Sequence, residues 1–317
     1  KPKGLSSNDA LMRARRLLNA RKAGHGGTLD PMATGLLPLL FGEATKFAYD
    51  SLDADKAYLA EVTLGETTDT GDAEGRLLER RAVDCDEAAF RAAAAAFVGE
   101  IDQVPPMHSA LKRDGRPLYE YARAGLTVER AARRVTIHAI ETLAFGEARA
   151  TILVSCSKGT YIRTLATDIG ERLGCGAHLS ALRRERVGAL SVGDAIALDA
   201  LEALEPAARR ARLAPADSLL AGLQRVDLDA HSAARFLHGQ KLRAPPFLQG
   251  GDAIRVRVYG PQQLLGIAGL RHGALVPQRL VASHPIEPSE TATSGTSGSR
   301  NHDGAALSET PRSGQTP

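Results

Sequence analysis

Cysteine is scarce in this 317-residue chain: three residues, Cys85, Cys156 and Cys175, with no CxxC spacing. That argues against a disulfide framework and against a zinc ribbon, and it suits a reducing compartment such as the cytosol. No run of about 18 apolar residues occurs, so no membrane-spanning helix is expected. Charge of one sign is barely in excess, at +3. The glycine-rich stretch near residue 25 is followed by no Gly-Lys-Ser/Thr and contains no G-x-G-x-x-G, so neither phosphate-loop fingerprint applies. In "TTDTGDAEG" (67–75) Asp69, Asp72 and Glu74 miss the spacing of a calcium loop, and its closing glutamate is absent. That stretch reads as a solvated connection. His25, His108 and His178 lie far apart and name no metal site, and no Ser–His–Asp set can be assembled.

What the chain does have is the make-up of a globular protein, with 43% hydrophobic and 24% charged residues. Its length allows about two domains. It opens on Lys1 rather than methionine, so a short N-terminal piece is expected to be missing. Residues 7–21 carry Ala10, Leu11, Ala14, Leu17 and Leu18 on one helical face, with Ser6, Ser7 and Asn8 as N-cap candidates. "AYLAEVTLG" (57–65) alternates like a strand, with Tyr58, Ala60, Val62 and Leu64 on one side. The alanine-rich 86–98 stretch is expected to be helical. Residues 104–125 mix Pro, Gly and charge and read as a long excursion. Strands are expected near 134–145 and 149–157, where Cys156 is most simply a buried thiol. A helix from Thr160 to Leu173 follows, then short strands near 253–259, 263–269 and 274–282. Irregular alternation of helices and strands predicts an α+β main domain, residues 1–212, followed by a small all-β domain, 213–286. Residues 287–317 hold few large apolar side chains and are expected to be a disordered tail. Without that tail's four acids and two arginines the chain stands at +5. Basic clusters at Arg13–Lys22, at Arg130, Arg133 and Arg134, and at Arg183, Arg184 and Arg186 could face a phosphate backbone, or simply water.

In the glycine-rich stretch "AGHGGTLDPMATG" Asp30 is the single acidic side chain. Its glycines mean turns or close approach to a ligand, and Asp30 before Pro31 could equally be a turn residue. In "SKGTYIRTLATDIG" (157–170), Tyr161 and Arg163 fall in the first turn of the expected helix, where an anion is favoured. Arg163 there could meet a carboxylate brought from elsewhere, or could be a surface residue.

Taken together, "KPKGLSSN", "GHGGTLDPMATGLLP", "GEATKF", "DKAYLAEVTLG", "CSKGTYIRTLATDIG" and "GAHLSALRRERVG" resemble the bacterial TruB family, the tRNA pseudouridine-55 synthases. The matching segments run in one order from residue 1 to about 190. The resemblance implies a pseudouridine-synthase fold with a mixed, mostly antiparallel central sheet flanked by helices, and a small C-terminal PUA-like β domain. It implies an isomerase that detaches uracil from its ribose in the T loop of tRNA, at position 55, and reattaches it through carbon 5. It calls for no cofactor and no metal, and it points to a cytoplasmic monomer that acts on the T arm of tRNA without a protein partner. By position, Asp30 is the catalytic carboxylate, acting as nucleophile or as base in a glycal route. Tyr58 stacks on the extruded base, and Arg163 pairs with Asp30. Tyr161 and Leu182 line the uracil pocket, Lys46 adds charge at the site, and His25 holds the flipped-out loop. Residues 104–134 correspond to the insertion that grips the RNA arm. The chain departs from the pattern at His108, where the family usually carries tyrosine. The alternative is a non-catalytic RNA-binding or RNA-folding protein on the same scaffold. Asp30, Tyr58 and Arg163 together argue against it, since a binder needs no acid.

Overall fold

A computed structural model describes residues 1–248 and 254–281. The expected tail, and the ends of the strands expected to start at 253 and to finish at 282, lie outside the described residues.

Helix α1 (Ser7–Leu17) begins at Ser6, whose hydroxyl accepts from the Asp9 N–H while the Asp9 carboxylate accepts from the Ser6 N–H. This reciprocal cap satisfies two of the helix's free donors. The helix is four residues shorter than its periodicity suggested. Asn19 takes a left-handed φ of 49°, and Arg15 folds back onto the carbonyls of Ala20 and Arg21. Helix α2 (Ala48–Asp53) is a short piece ending just before the first long strand. Helix α3 (Glu87–Ala95) starts where the Asp86 carboxylate accepts from the Ala89 N–H. It buries Phe90, Ala93 and Ala94.

The main sheet has seven strands: β1 (Thr34–Gly35), β2 (Lys56–Leu64), β3 (Gly99–Gln103), β4 (Arg133–Gly146), β5 (Arg149–Cys156), β6 (Ala177–Val187) and β7 (Leu190–Ser191). Its order is β7-β6-β2-β5-β4-β3, with β1 attached to β6. Every pairing is antiparallel except β1 with β6. The alternation read in 57–65 is real: Tyr58, Ala60, Val62 and Leu64 are all buried on one face of β2. They pack with Ile152 and Val154 of β5, Leu179 and Leu182 of β6, and Leu165, Ala166 and Ile169 of helix α4 (Ile162–Arg172). Burial of such side chains, about 1.5–3 kcal/mol each, makes this cluster the main source of stability.

Strand β6 was not legible as a strand, because Arg183, Arg184 and Arg186 interrupt its apolar pattern. Yet it lies inside the sheet. Arg183 and Arg186 are exposed and fit the expected basic cluster, whereas Arg184 is 1% exposed and points inward. The connection at 104–125 holds a short antiparallel pair, Lys112–Arg113 with Arg116–Pro117, and a helix at Leu118–Arg123.

The second sheet has five strands, β8 (Gln224–Asp227), β9 (Leu242–Arg243), β10 (Arg255–Tyr259), β11 (Leu264–Arg271) and β12 (Ala274–Leu280), in the order β8-β10-β11-β12-β9. Helix α5 (Ala230–Leu237) packs Phe236 against its apolar face. This sheet also shares a small core with the rest of the chain. Phe47, just before α2, is fully buried with Leu220 and Ile267, and Arg255 pairs with Asp50 of α2 at 2.7 Å. Among the described residues no helix is long and apolar enough to cross a membrane.

Gly35 shows how tightly β1 meets β6. Its φ is +98°, and a Cβ there would lie 2.4 Å from the Arg184 carbonyl oxygen. Gly35→Ala is therefore expected to cost about 1–3 kcal/mol from backbone strain, with the clash in addition. A thermal melt reads this as a lowered Tm, and an unchanged Tm would contradict the register.

Candidate active site

Asp30 lies on no helix or strand. Its position comes from three clamps on the glycine-rich segment. The Ser7 hydroxyl of α1, 3% exposed, accepts from the Leu29 N–H at 2.8 Å and donates to the Leu29 carbonyl at 3.0 Å. The Ser51 hydroxyl of α2 donates to the Gly26 carbonyl at 3.0 Å. The Arg184 guanidinium donates to the carbonyls of Leu36 (2.7 Å), Gly27 (3.1 Å) and Thr28 (3.4 Å). Gly26 has no room for a side chain, since a Cβ would fall 1.9 Å from the Ser51 oxygen. The turn closes on itself with the Ala33 N–H donating to the Asp30 carbonyl at 3.0 Å.

Held this way, the Asp30 carboxylate meets Arg163, the second residue of α4. Nε of Arg163 stands 3.0 Å from the Asp30 carboxylate. The guanidinium is 3% exposed, while the Asp30 side chain keeps 33% of its surface open. Arg163 is pinned further by donating to the carbonyls of Thr70 (3.0 Å) and His108 (2.7 Å). A second carboxylate, Asp72, lies 3.3 Å from Arg163 Nη1. "TTDTGDAEG" is thus no solvated connection at Asp72, which is 4% exposed. Its carboxylate accepts from the Thr70 hydroxyl at 2.6 Å and the Glu74 N–H at 3.1 Å. The sequence read Asp72 only as a failed calcium ligand. The available signal was its place in a short, turn-rich segment after a buried strand.

Burial pushes the Asp30 carboxyl above the ordinary carboxylate range; Arg163 pulls it back, and the Asp72 charge raises it again. A cavity of about 310 Å³ opens beside Asp30, walled by Tyr58, Tyr161, Leu182 and Arg163, with Lys56 and Arg184 also lining it. Tyr58 is 9% exposed. Burial raises its phenol, an effect opposed by the charge and hydrogen bond of Arg184. Tyr161 caps α4, and Gln103 at the end of β3 fixes its backbone. The Gln103 amide accepts from the Tyr161 N–H at 2.7 Å and donates to its carbonyl at 3.1 Å. Burial raises the Tyr161 phenol too. A second cavity of about 460 Å³ shares Asp30 and Arg163 with the first and reaches His25, His108, Tyr119 and Arg123. The His25 imidazole is lowered by burial and then by Arg184, and its buried Nδ1 has no hydrogen-bond partner.

Six of the residues singled out in the sequence therefore meet around one carboxylate: Asp30, Tyr58, Arg163, Tyr161, Leu182 and His25. Lys46 does not. Its ammonium pairs with Glu43 at 2.6 Å and donates to the Leu280 carbonyl at 2.8 Å. It ties the segment before α2 to the end of β12, because the 3₁₀ turn at Gly42–Phe47 aims it at the second sheet. At position 108 the backbone carbonyl makes the contact to Arg163, so the use of histidine there leaves that contact intact. Among the described residues no group of His, Cys, Asp and Glu could hold a metal ion.

Three family descriptions match consecutive parts of the chain. The N-terminal domain of TruB family pseudouridylate synthase matches residues 15–162, the C-terminal domain of tRNA pseudouridylate synthase B matches 163–221, and the C-terminal region of pseudouridine synthase II TruB matches 225–281. The chain belongs to the TruB family. The tRNA pseudouridine synthase B of Cupriavidus pinatubonensis (strain JMP 134 / LMG 1197) is 61% identical over 289 residues, 89% of this chain and 92% of that protein. Its namesake from Burkholderia mallei (strain NCTC 10247) is 61% identical over 287 residues, 89% of this chain and 95% of that one. Among solved structures, a chain of a Cbf5-Nop10-Gar1 complex superposes with a TM-score of 0.69 at 26% identity, covering 89% of this chain and 83% of that chain. The TruB chain is thus a pseudouridine synthase, on the expected fold of a mixed, mostly antiparallel sheet with a C-terminal β domain.

Proposed function

We propose that this enzyme converts uridine to pseudouridine at position 55 in the T loop of tRNA, with Asp30 as its catalytic carboxylate. The observation that carries the reading is Asp30 itself, fixed at 3.0 Å by a buried arginine at the edge of a cavity walled by two tyrosines and a leucine. A flat base fits between such walls once it leaves its stack, and extrusion is what chemistry on a stacked base requires. Pseudouridine formation breaks the bond from C1′ to N1 and makes one from C1′ to C5. The C5 proton is lost and N1 gains one, with no other group exchanged, so one carboxylate and one group that moves a proton suffice. Asp30 attacks C1′ or takes the C2′ proton, and Arg163 keeps it ionised and aimed. Tyr58, which lines the cavity, stacks on the base and helps remove the C5 proton. His25, with its unpartnered Nδ1, faces the second cavity and holds the remodelled loop. The segment 104–134 and the C-terminal β domain grip the RNA, and the enzyme works in the cytoplasm as a monomer without cofactor or protein partner.

The test is release of tritium from tRNA carrying 5-tritiated uridine, since product and substrate have equal mass. A wild-type transcript should release one equivalent, and a transcript with cytidine at position 55 none. Release that is undiminished from the second transcript would mean another target.

A further inference from the structure

Two buried cations line the base cavity and take no part in the chemistry described so far. Arg184 is 1% and Lys56 8% exposed. They sit on neighbouring strands: Tyr58, two residues after Lys56 on β2, pairs with Arg184 of β6. Among the described residues neither forms an ion pair, whereas Arg163, which lines the same cavity, has two carboxylates. Lys56 Nζ donates to the carbonyls of Ser51 (3.1 Å), Leu52 (2.7 Å) and Ala54. Arg184 spends three donors on carbonyls. Carbonyl dipoles hold these cations in place but leave their formal charge uncancelled. A buried charge without a counter-ion is costly, so a pair of them at a cavity wall calls for an anion that arrives with the substrate.

Resting on the proposed uridine chemistry, we infer that Lys56 and Arg184 form a cationic floor that stabilises the uracil anion while it is detached from ribose. When the C1′–N1 bond breaks, its electron pair leaves with the base, and the charge spreads over N1 and the ring oxygens. C1′ becomes bonded to the Asp30 carboxylate, or C2′ loses a proton to that carboxylate and a C1′=C2′ double bond replaces the bond to N1. In either case the base carries one negative charge until C5 bonds to C1′, as the Asp30 carboxylate leaves C1′ or returns its proton to C2′; the C5 proton then departs and N1 takes one up. A fixed positive wall favours that state over the neutral, attached base, so it acts on the rate rather than on binding. The competing reading of Lys56 is a simple cap on the C-terminal carbonyls of α2.

Charge separates the two. Burial lowers the Lys56 ammonium to about 8, so it is charged below that pH and neutral above it. The groups acting on it are Arg184 from β6, Cys156 from β5, Asp53 at the end of α2 and Asp55 just after it. The Cys156 thiol, raised to about 11 by burial, stays neutral across this range. Single-turnover tritium release at saturating tRNA, followed from pH 6 to 9, should therefore fall above about pH 8. Lys56→Gln keeps amide donors for the α2 carbonyls but has no charge. It should lower the rate at pH 7 at least tenfold, abolish the alkaline fall, and leave tRNA affinity within about twofold. An unchanged rate and limb in a Lys56→Gln protein with native Tm would overturn the floor and leave the uridine chemistry standing. Should that variant not fold, a wild-type rate that stays flat through pH 9 overturns it instead. A wild-type protein releasing no tritium from tRNA would remove both readings.

Discussion

Asp30→Asn is expected to lose turnover by roughly 10³-fold or more while still binding tRNA. Asparagine keeps the shape of aspartate but can neither attack C1′ nor accept a proton. The fold should survive, because Arg163 is left with Asp72, the carbonyls of Thr70 and His108, and no orphaned charge. Burial stops opposing the side chain once the carboxylate is gone, so the variant's Tm should not fall. Tritium release under single turnover measures the chemistry, and filter binding measures the complex. Substantial residual release would remove Asp30 from its role.

The wild-type pH dependence bears on the same residue. Asp30 works ionised, and burial raises its carboxyl. Activity should therefore fall, as pH drops, at a higher pH than the ordinary aspartate value of about 3.9. The Asp72 charge contributes to that raising, so Asp72→Asn should move the acid limb of the rate to lower pH even while loosening Arg163.

The outline of this fold could be read from the sequence wherever one face of an element is apolar and the other polar. Strand β2 is such a case, with Tyr58, Ala60, Val62 and Leu64 inward, and α4 is another, with Leu165, Ala166 and Ile169 in the core. Legibility failed where a charged residue goes inward. Strand β6 carries three arginines, and nothing in the linear pattern tells that Arg184 is buried on carbonyls while Arg183 and Arg186 face water. Asp72 was missed for the same reason. A buried carboxylate is intelligible only through its cation, and that cation lies 91 positions away on α4. Lys46 failed in the opposite direction: its motif places it near the site in sequence, but a 3₁₀ turn carries it to the second sheet. Periodicity reports which side of an element is buried. It does not report which polar groups find each other across the core.

Arg163→Met should be the most damaging single change for stability. It removes the cation between Asp30 and Asp72 and leaves two carboxylates without it, the half-open Asp30 and the buried Asp72. Breaking a buried pair from one side costs about 3–5 kcal/mol, and here two acids lose one partner. The Thr70 and His108 carbonyls lose a donor as well. Protonation is the cheaper escape for Asp30. Without Arg163 its carboxyl rises further, so residual activity should be very low at neutral pH and should increase toward alkaline pH. Combining Asp30→Asn with Arg163→Met removes one of the two stranded charges, and the remaining Asp72 keeps the Thr70 hydroxyl and the Glu74 N–H. The double variant should therefore be more stable than the sum of the single losses allows, by about 1–3 kcal/mol in urea unfolding, the range for groups in direct contact. Strictly additive losses would mean that Asp30 and Arg163 do not share their charge in solution.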